Sequence, residues 1–478
     1  MLQFFEIFSH ILFVLSLGFY LITNLQWYNY KLNRVIFHHT RLTWHIIYFL
    51  IPLFAYYLTG IYFWIYFYFA YLPSLYIWQK RIDKKLVFTS RVKRFFLFLL
   101  LAAIFEDFLC IALKSCKVYG VLLPIFVSLF VGYLFEKILF NGFKKEAKRK
   151  LNSINNLKIV AITASYGKTS IKNFLYQLLE DDFRVYKTPR SVNTLGGIVK
   201  DVNENLPSDT QIYIAEAGAR ERGDIDEIAR FLDHHYAIVG KIGPQHIEYF
   251  KTLENIRDTK MEILNSKRLI KAFVHKSANV KPNEKVTVFG DEIKDVKATL
   301  DGVSFKLVLN KKEYFFKAPL LGDFNALNIT AAVLCALEFG IDIKTLQKRV
   351  SLLKGVEHRL QKIEAGGKLI IDDSFNGNLE GMLSSYSLVS SYEGRKVLVT
   401  PGIVESTKED NAKLAKKIDE VFDLVILTAK SNLDVLIKSI KNTRKIVLSD
   451  KSKLEDILKK ETKAGDLILF SNDAPNFI

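Results

Sequence analysis

The chain has 478 residues, half of them hydrophobic, with 67 Lys and Arg against 50 Asp and Glu and a formal charge of +17. That length allows two or three domains. Residues 1–150 carry 18 basic against 6 acidic side chains and the remaining 328 carry 49 against 44, which excludes a generally basic nucleic-acid binder, and no RNA- or DNA-binding motif appears.

Five apolar stretches fill the first third: Phe4–Leu25, Trp44–Thr59, Ile61–Trp78, Phe95–Leu113 and Val118–Phe140. A spanning helix needs about 20 residues. The second and third stretches are short, and Gly60 and Pro73 leave room for a re-entrant hairpin there. Tyr and Trp crowd both, as in interfacial belts. Basic residues cluster in alternate connections: Lys31, Arg34 and Arg41, then Lys80 to Arg94, then Lys144 to Lys150. The positive-inside rule then puts the N-terminus outside and everything after residue 141 in the cytoplasm. The opening MLQFFEIF lacks the basic start of a cleaved signal peptide. Glu106 and Asp107 read either as functional intramembrane acids or as the outer end of the fourth stretch. Cys110, Cys116 and Cys335 have no metal spacing and read as small apolar helix residues, not a disulfide framework.

The segment Lys158–Thr169, KIVAITASYGKT, changes the pattern. Ile159 to Thr163 reads as a buried strand, Ala164-Ser165-Tyr166-Gly167 as a tight loop, and Lys168-Thr169-Ser170 as the start of an amphipathic helix. Strand, loop and helix in that order form a phosphate cradle. Backbone N–H groups and the helix N-terminus face the anion, Lys168 reaches the outer phosphates and the Thr169 hydroxyl binds Mg²⁺. Strand and helix patterns alternate from here to the end, which predicts βαβ units and parallel sheets.

QIYIAEAG predicts a second buried strand ending in Glu216, where a Mg²⁺-holding carboxylate is needed. His246 falls in a loop after the strand Ala237–Ile242, at the strand edge where ligands collect. Lys260 lies on a helix, Leu253–Leu264, and by position alone reads as a solvated lysine. Lys267 to Lys317 shows short alternating segments, TVFG, SFKLVL and EYFFKA, which predict an antiparallel β appendage. LGDFNALNITAA opens a further helix with Asn325 and Asn328 near its start. Arg359 precedes a new α/β set beginning at Lys368, so a domain boundary is expected near Gly355–Glu357.

Together these stretches resemble the Mur ligase family, ATP-dependent amide-forming enzymes of peptidoglycan precursor synthesis, from about Lys158 to the C-terminus. TASYGKTS is similar to the family's TGxxGKT loop, GDFNALNITAA to its HNxxNxxAA, and IGPQHIEYFKTLENIRDTKMEIL to its H-x-E segment with a lysine carried as a carbamate. DDSFNGNLEGM resembles DDSYNANPxSM of the members that add D-alanyl-D-alanine to UDP-N-acetylmuramoyl-tripeptide. The apolar stretches predict a helical transmembrane module of about five helices (1–141), and the resemblance implies an α/β P-loop ATPase domain (142–356) and a C-terminal Rossmann-like α/β domain (357–478).

It also implies site roles. Thr163 to Ser170, Asn328, Arg359 and Asp373 would bind ATP. Thr169, Glu216, His246 and carbamylated Lys260 would hold two Mg²⁺. Lys168, Lys260, His246 and Arg359 would be catalytic, and Asn376 and Asn378 would contact substrate. The expected surroundings are the bilayer of a bacterial inner membrane, the muramoyl peptide, D-Ala-D-Ala and other cell-wall synthesis proteins, with no nucleic acid. Two other readings compete: a different ligase of the same superfamily, and a nucleotide-binding membrane scaffold without turnover. Ala164 replaces the loop's first glycine, Asp323 stands where the family has His, and TPGIVES replaces a glycine-rich stretch. The membrane module occupies the place of the family's UDP-sugar-gripping domain.

Overall fold

The computed structural model describes residues 2–28, 30–37, 42–82, 85–113, 118–244, 250–375, 377–403, 407–428, 433–448 and 450–473. The chain divides into two compact units, Met1–Gly142 and Phe143–Ile478.

The first unit is helical. Among the described residues, four helices are long and apolar enough to cross a membrane by length and composition: Phe4–Trp27 within α1 (Leu2–Trp27), Leu42–Arg81, α2 (Ser90–Leu113) and α3 (Leu122–Ser153). The second is not straight. Tyr48 and Trp78 have ring centroids 5.4 Å apart, and the Tyr71 hydroxyl donates to Tyr48 O at 3.0 Å. A straight helix would separate residues 48 and 78 by about 45 Å. The helix therefore folds back, and Gly60, with φ +53°, sits between its arms. Phe13 of α1 packs on rings from both arms, Tyr56 at 5.3 Å and Phe67 at 5.5 Å.

Asp107 is buried and pairs with His10 Nδ1 at 2.8 Å, while His10 Nε2 contacts Gly120 O at 2.9 Å. The expectation for the cysteines needs correction at one of them. Cys110 is disulfide-bonded; three cysteines without repeated spacing give a sequence reading no pattern by which to find it. Cys335 is free and buried, and Cys116 lies outside the described residues.

The second unit holds two six-stranded sheets and a three-stranded one. The first sheet runs β2 (Val185–Lys187), β3 (Ile212–Glu216), β1 (Lys158–Thr163), β4 (Tyr236–Val239), β5 (Lys271–His275) and β6 (Val286–Phe289), all parallel. From β1 the chain crosses to β2 and β3 on one side and then to β4 on the other. The carboxyl end of β1 is thus the switch point, where open α/β sheets bind ligands. β1 is buried on both faces, as its unbroken run of Ile, Val and Ala requires.

β7 (Ile293–Thr299), β8 (Gly302–Leu309) and β9 (Lys312–Ala318) form the antiparallel sheet. Phe305, Leu307 and Phe316 from it share one core with β1, with α4 (Lys168–Leu179) and with α8 (Phe324–Glu338). The expected appendage is therefore smaller than the sequence suggests. TVFG falls in β6, paired parallel with β5, because its alternation is short enough to fit either kind of sheet edge.

The other large sheet runs β10 (Gln361–Ala365), β11 (Lys368–Asp373), β15 (Leu467–Ser471), β12 (Lys396–Thr400), β13 (Leu424–Leu427) and β14 (Arg444–Val447). Only β10 is antiparallel, as a hairpin with β11.

Candidate nucleotide and metal site

The loop after β1 is held by the segment just beyond β4. Ser165 N donates to Lys241 O at 2.9 Å, and Ser165 Oγ donates to Gly243 O at 3.0 Å. The Tyr166 ring lies over Gly243, where a Cβ would come within 2.5 Å of it. Burial pushes the Tyr166 hydroxyl up to about 12, with Glu380 and Asp410 adding to the shift. Ala164 is not among the positive-φ residues, so its methyl brings no backbone strain. Gly167 does need to be glycine: it has φ +84° and stands at the N-terminus of α4. Ser170 comes next on α4 after Thr169, buried in the first turn.

Lys168 Nζ donates to Ala164 O at 2.8 Å and Ser165 O at 3.2 Å, so the ammonium is curled over the loop that it would share with phosphates. Burial pushes it down to about 8, Glu216 opposing and Arg359 assisting. Thr169 Oγ1 donates to Glu216 Oε2 at 3.0 Å, bringing the end of β3 to the start of α4. Thr163 Oγ1 is buried with no hydrogen-bond partner among the described residues.

A hydroxyl and a carboxylate at this distance suit Mg²⁺, which takes one or two protein oxygens and completes its shell with phosphates and water. Among the described residues no cluster of three His, Cys, Asp or Glu could hold a metal by itself. His246 lies outside the described residues.

Lys260, on α7 (Leu253–Met261), is buried, not solvated. Burial and then the Lys168 ammonium push it well below the usual lysine range, against the pull of Asp224, Glu216 and Glu262. Glu262 meanwhile accepts from Gly223 N and Asp226 N, at 2.8 and 3.1 Å, at the start of α6 (Asp224–Leu232). Asn328 is buried; its Nδ2 donates to Asn325 Oδ1 at 3.2 Å, and its Oδ1 faces Gly167.

The β10–β15 sheet contributes from its own edge. Arg359 Nη1 donates to Phe375 O at 2.7 Å, and burial lowers its guanidinium against the pull of Asp373 and Glu216. Asp373 is buried and accepts from Leu360 N at 3.3 Å. Lys241 forms an ion pair with Glu380, and Asp323 Oδ1 accepts from Phe324 N and from Ser384 Oγ, at 2.9 and 2.8 Å. Asn378 caps α9 (Leu379–Ser390), accepting from Gly381 N at 2.8 Å. Asn376 lies outside the described residues.

Three residues escaped the sequence reading. Asn193 Nδ2 donates to Glu216 Oε1 at 3.1 Å, and Lys172 pairs with Glu216 Oε2 at 3.3 Å. His358 Nδ1 meets Asp372 Oδ2 at 2.6 Å, and both His358 and Leu360 have positive φ. Only Lys172 left a trace, three positions after Thr169 on one helix face.

Residues 162–336, the stretch that carries the phosphate loop and α8, match the Mur ligase middle domain. The chain is also similar to enzymes named UDP-N-acetylmuramoyl-tripeptide–D-alanyl-D-alanine ligase. With the one from Bacillus subtilis it is 29% identical over 334 residues, spanning 66% of this chain and 72% of the relative. With the one from Escherichia coli it is 25% identical over 271 residues, spanning 53% and 60%. The MurF ligase of Thermotoga maritima in complex with ADP superposes with a TM-score of 0.59 at 25% identity, covering 70% of this chain and 80% of that one. An Acinetobacter baumannii MurF structure gives 0.63 at 22% identity over 70% and 78%, a likeness of fold.

Proposed function

We propose that this chain is an ATP-dependent carboxylate–amine ligase that adds D-alanyl-D-alanine to UDP-N-acetylmuramoyl-tripeptide at the inner face of a bacterial inner membrane. One observation carries the reading: Thr169 and Glu216 meet at the carboxyl end of β1, beside Lys168.

In the reaction, the donor carboxylate oxygen attacks the γ-phosphorus of ATP and ADP leaves. The amine of the dipeptide then attacks the acyl phosphate, and inorganic phosphate departs as the amide forms. The reacting groups are all anionic until the amine enters, so the site must concentrate positive charge. Mg²⁺ held by Thr169 and Glu216 would supply charge between the phosphates. Lys168 exchanges its two carbonyl partners for phosphate oxygens and follows the charge as the phosphoryl group moves. Arg359, with Asp373 behind it, brings a second cation from the other sheet. The loop from Thr163 to Ser170 supplies N–H groups, and Asn328 keeps Gly167 in place.

The depressed Lys260 favours its neutral amine, the form that reacts with CO₂. A carbamate there would give a hard oxygen ligand for a second cation, with His246 as its partner. Asn376 and Asn378 belong to the loop that would meet the substrate. The four long apolar helices would anchor the enzyme, with the N-terminus outside and the second unit in the cytoplasm.

The test is the full chain in detergent with ATP, Mg²⁺, the muramoyl tripeptide and D-Ala-D-Ala, the product read by mass. Phosphate release should require both donor and amine. Nucleotide binding without any turnover would identify a scaffold instead.

A further inference from the structure

Lys172 leaves α4 on the same face as Thr169, and its side chain is fully buried. Its ammonium reaches two segments at once. It pairs with Glu216 Oε2 at 3.3 Å and donates to the carbonyl of Arg190. Arg190 holds φ +45°, a backbone state that residues with a Cβ rarely adopt. The loop that contains it, 188–194, closes back on the same glutamate. Thr188 Oγ1 accepts from Glu216 N at 3.2 Å, Asn193 Nδ2 donates to Glu216 Oε1 at 3.1 Å, and Asn193 O accepts from Gly218 N at 2.7 Å.

The Glu216 carboxylate therefore has three protein donors, from Thr169, Lys172 and Asn193. A carboxylate offers about four lone-pair positions, so its rotation is fixed while one position stays open. Thr169 and Asn193 are neutral donors. Lys172 supplies the charge-assisted bond, and such bonds are about twice as strong as neutral ones.

We propose that Lys172 is a positioning residue with two tasks. It fixes the Glu216 carboxylate for a divalent cation, and it holds Arg190 in the left-handed conformation so that loop 188–194 stays against that carboxylate. The first task rests on the nucleotide and metal reading above; the second does not.

The test uses the full chain in detergent and the substitution Lys172→Met, which keeps length and removes charge and donors. Two quantities are read: hydrogen exchange of the 189–194 amides without ligand, and the Mg²⁺ concentration that half-saturates binding of a fluorescent ATP analogue. Loop exchange should accelerate about tenfold or more. The Mg²⁺ requirement should rise about tenfold or more, as when a partner of a metal ligand is lost, with metal-free nucleotide binding unchanged.

Adding Arg190→Gly to Lys172→Met separates the tasks, since glycine adopts positive φ freely. Loop protection should return while the Mg²⁺ requirement stays raised. If Lys172→Met does not fold, Lys172→Gln is read in the same way. A folded variant with native loop exchange and native Mg²⁺ requirement overturns the proposal. Wild-type nucleotide binding that ignores Mg²⁺ would overturn the first task together with the functional reading, while accelerated loop exchange would still uphold the second.

Discussion

Asn328 Oδ1 sits so close to Gly167 that a Cβ added to the glycine would lie 2.2 Å from it. Gly167 also has φ +84°, so two separate constraints keep the position free of a side chain. Gly167→Ala would carry a backbone cost of about 1–2 kcal/mol for the left-handed conformation, with the overlap added. Nucleotide affinity should fall about tenfold or more, the equivalent of about 1.4 kcal/mol. A fluorescent-nucleotide titration measures this directly, and native affinity in the variant would show that the loop does not hold the phosphates.

Lys168→Ala removes the ammonium now folded over the loop carbonyls. Ligation should drop below about a tenth of the wild-type rate, a loss above ~1.4 kcal/mol. Initial rates at saturating ATP check it, and a smaller loss would assign the phosphates to another cation.

On the proposed carbamate role, Lys260→Ala should inactivate by vacating a ligand position, the residue being buried in the fields of Lys168 and Glu216. A small carboxylate such as acetate at high concentration should restore part of the rate by supplying the lost oxygen. Near-normal activity in the variant would end the carbamate assignment. So would an inactive, folded variant that acetate does not rescue.

His235 links pH to stability in the second unit. Its Nδ1 accepts from Ile159 N at 3.1 Å, which requires an unprotonated nitrogen, and burial, assisted by Arg268 and Lys158, pushes the ring down to about 4. In the unfolded chain the same ring titrates near 6.5. Between these values the unfolded chain binds the extra proton. The contribution is therefore complete above about pH 6.5 and declines as pH falls towards 4, by about 1–2 kcal/mol at pH 5. His235→Asn keeps an acceptor without the titration, so denaturation curves at pH 7 and pH 5 should differ less for the variant by about that amount.

In the proposed membrane-anchored enzyme, the fold-back at Gly60 and the basic residues after Trp78 would together set an orientation. Cysteines placed at Gly60 and at Gln79 should react with impermeant reagents from opposite sides of the membrane. Reaction from one side only would make the Leu42–Arg81 hairpin re-entrant.

The phosphate loop was legible because strand, glycine and lysine come in unbroken order, and Glu216 because a strand of Ile, Tyr and Ala ends in an acid. Lys260 was not legible as a buried residue. A nine-residue helix with a low apolar content looks solvated until α6, against which it packs, is in place. Asn193 was hidden for a related reason, since it reaches Glu216 from a separate segment, and Lys172 showed only its shared helix face with Thr169, not its meeting with Glu216. The hairpin at Gly60 was half visible, since the glycine marked the break but the aromatic contacts closing it join residues 30 positions apart. The parallel placement of TVFG was invisible, because an alternating run of four residues fits either sheet type.

Gly240 is hemmed in from two sides. A Cβ at position 240 would stand 2.9 Å from the Ala164 methyl and 2.9 Å from Ile171 Cδ1. Trimming Ala164 to glycine would therefore not by itself admit a side chain at 240, because Ile171 Cδ1 would still stand in its way. The loop after β1 and the first turn of α4 together close off position 240.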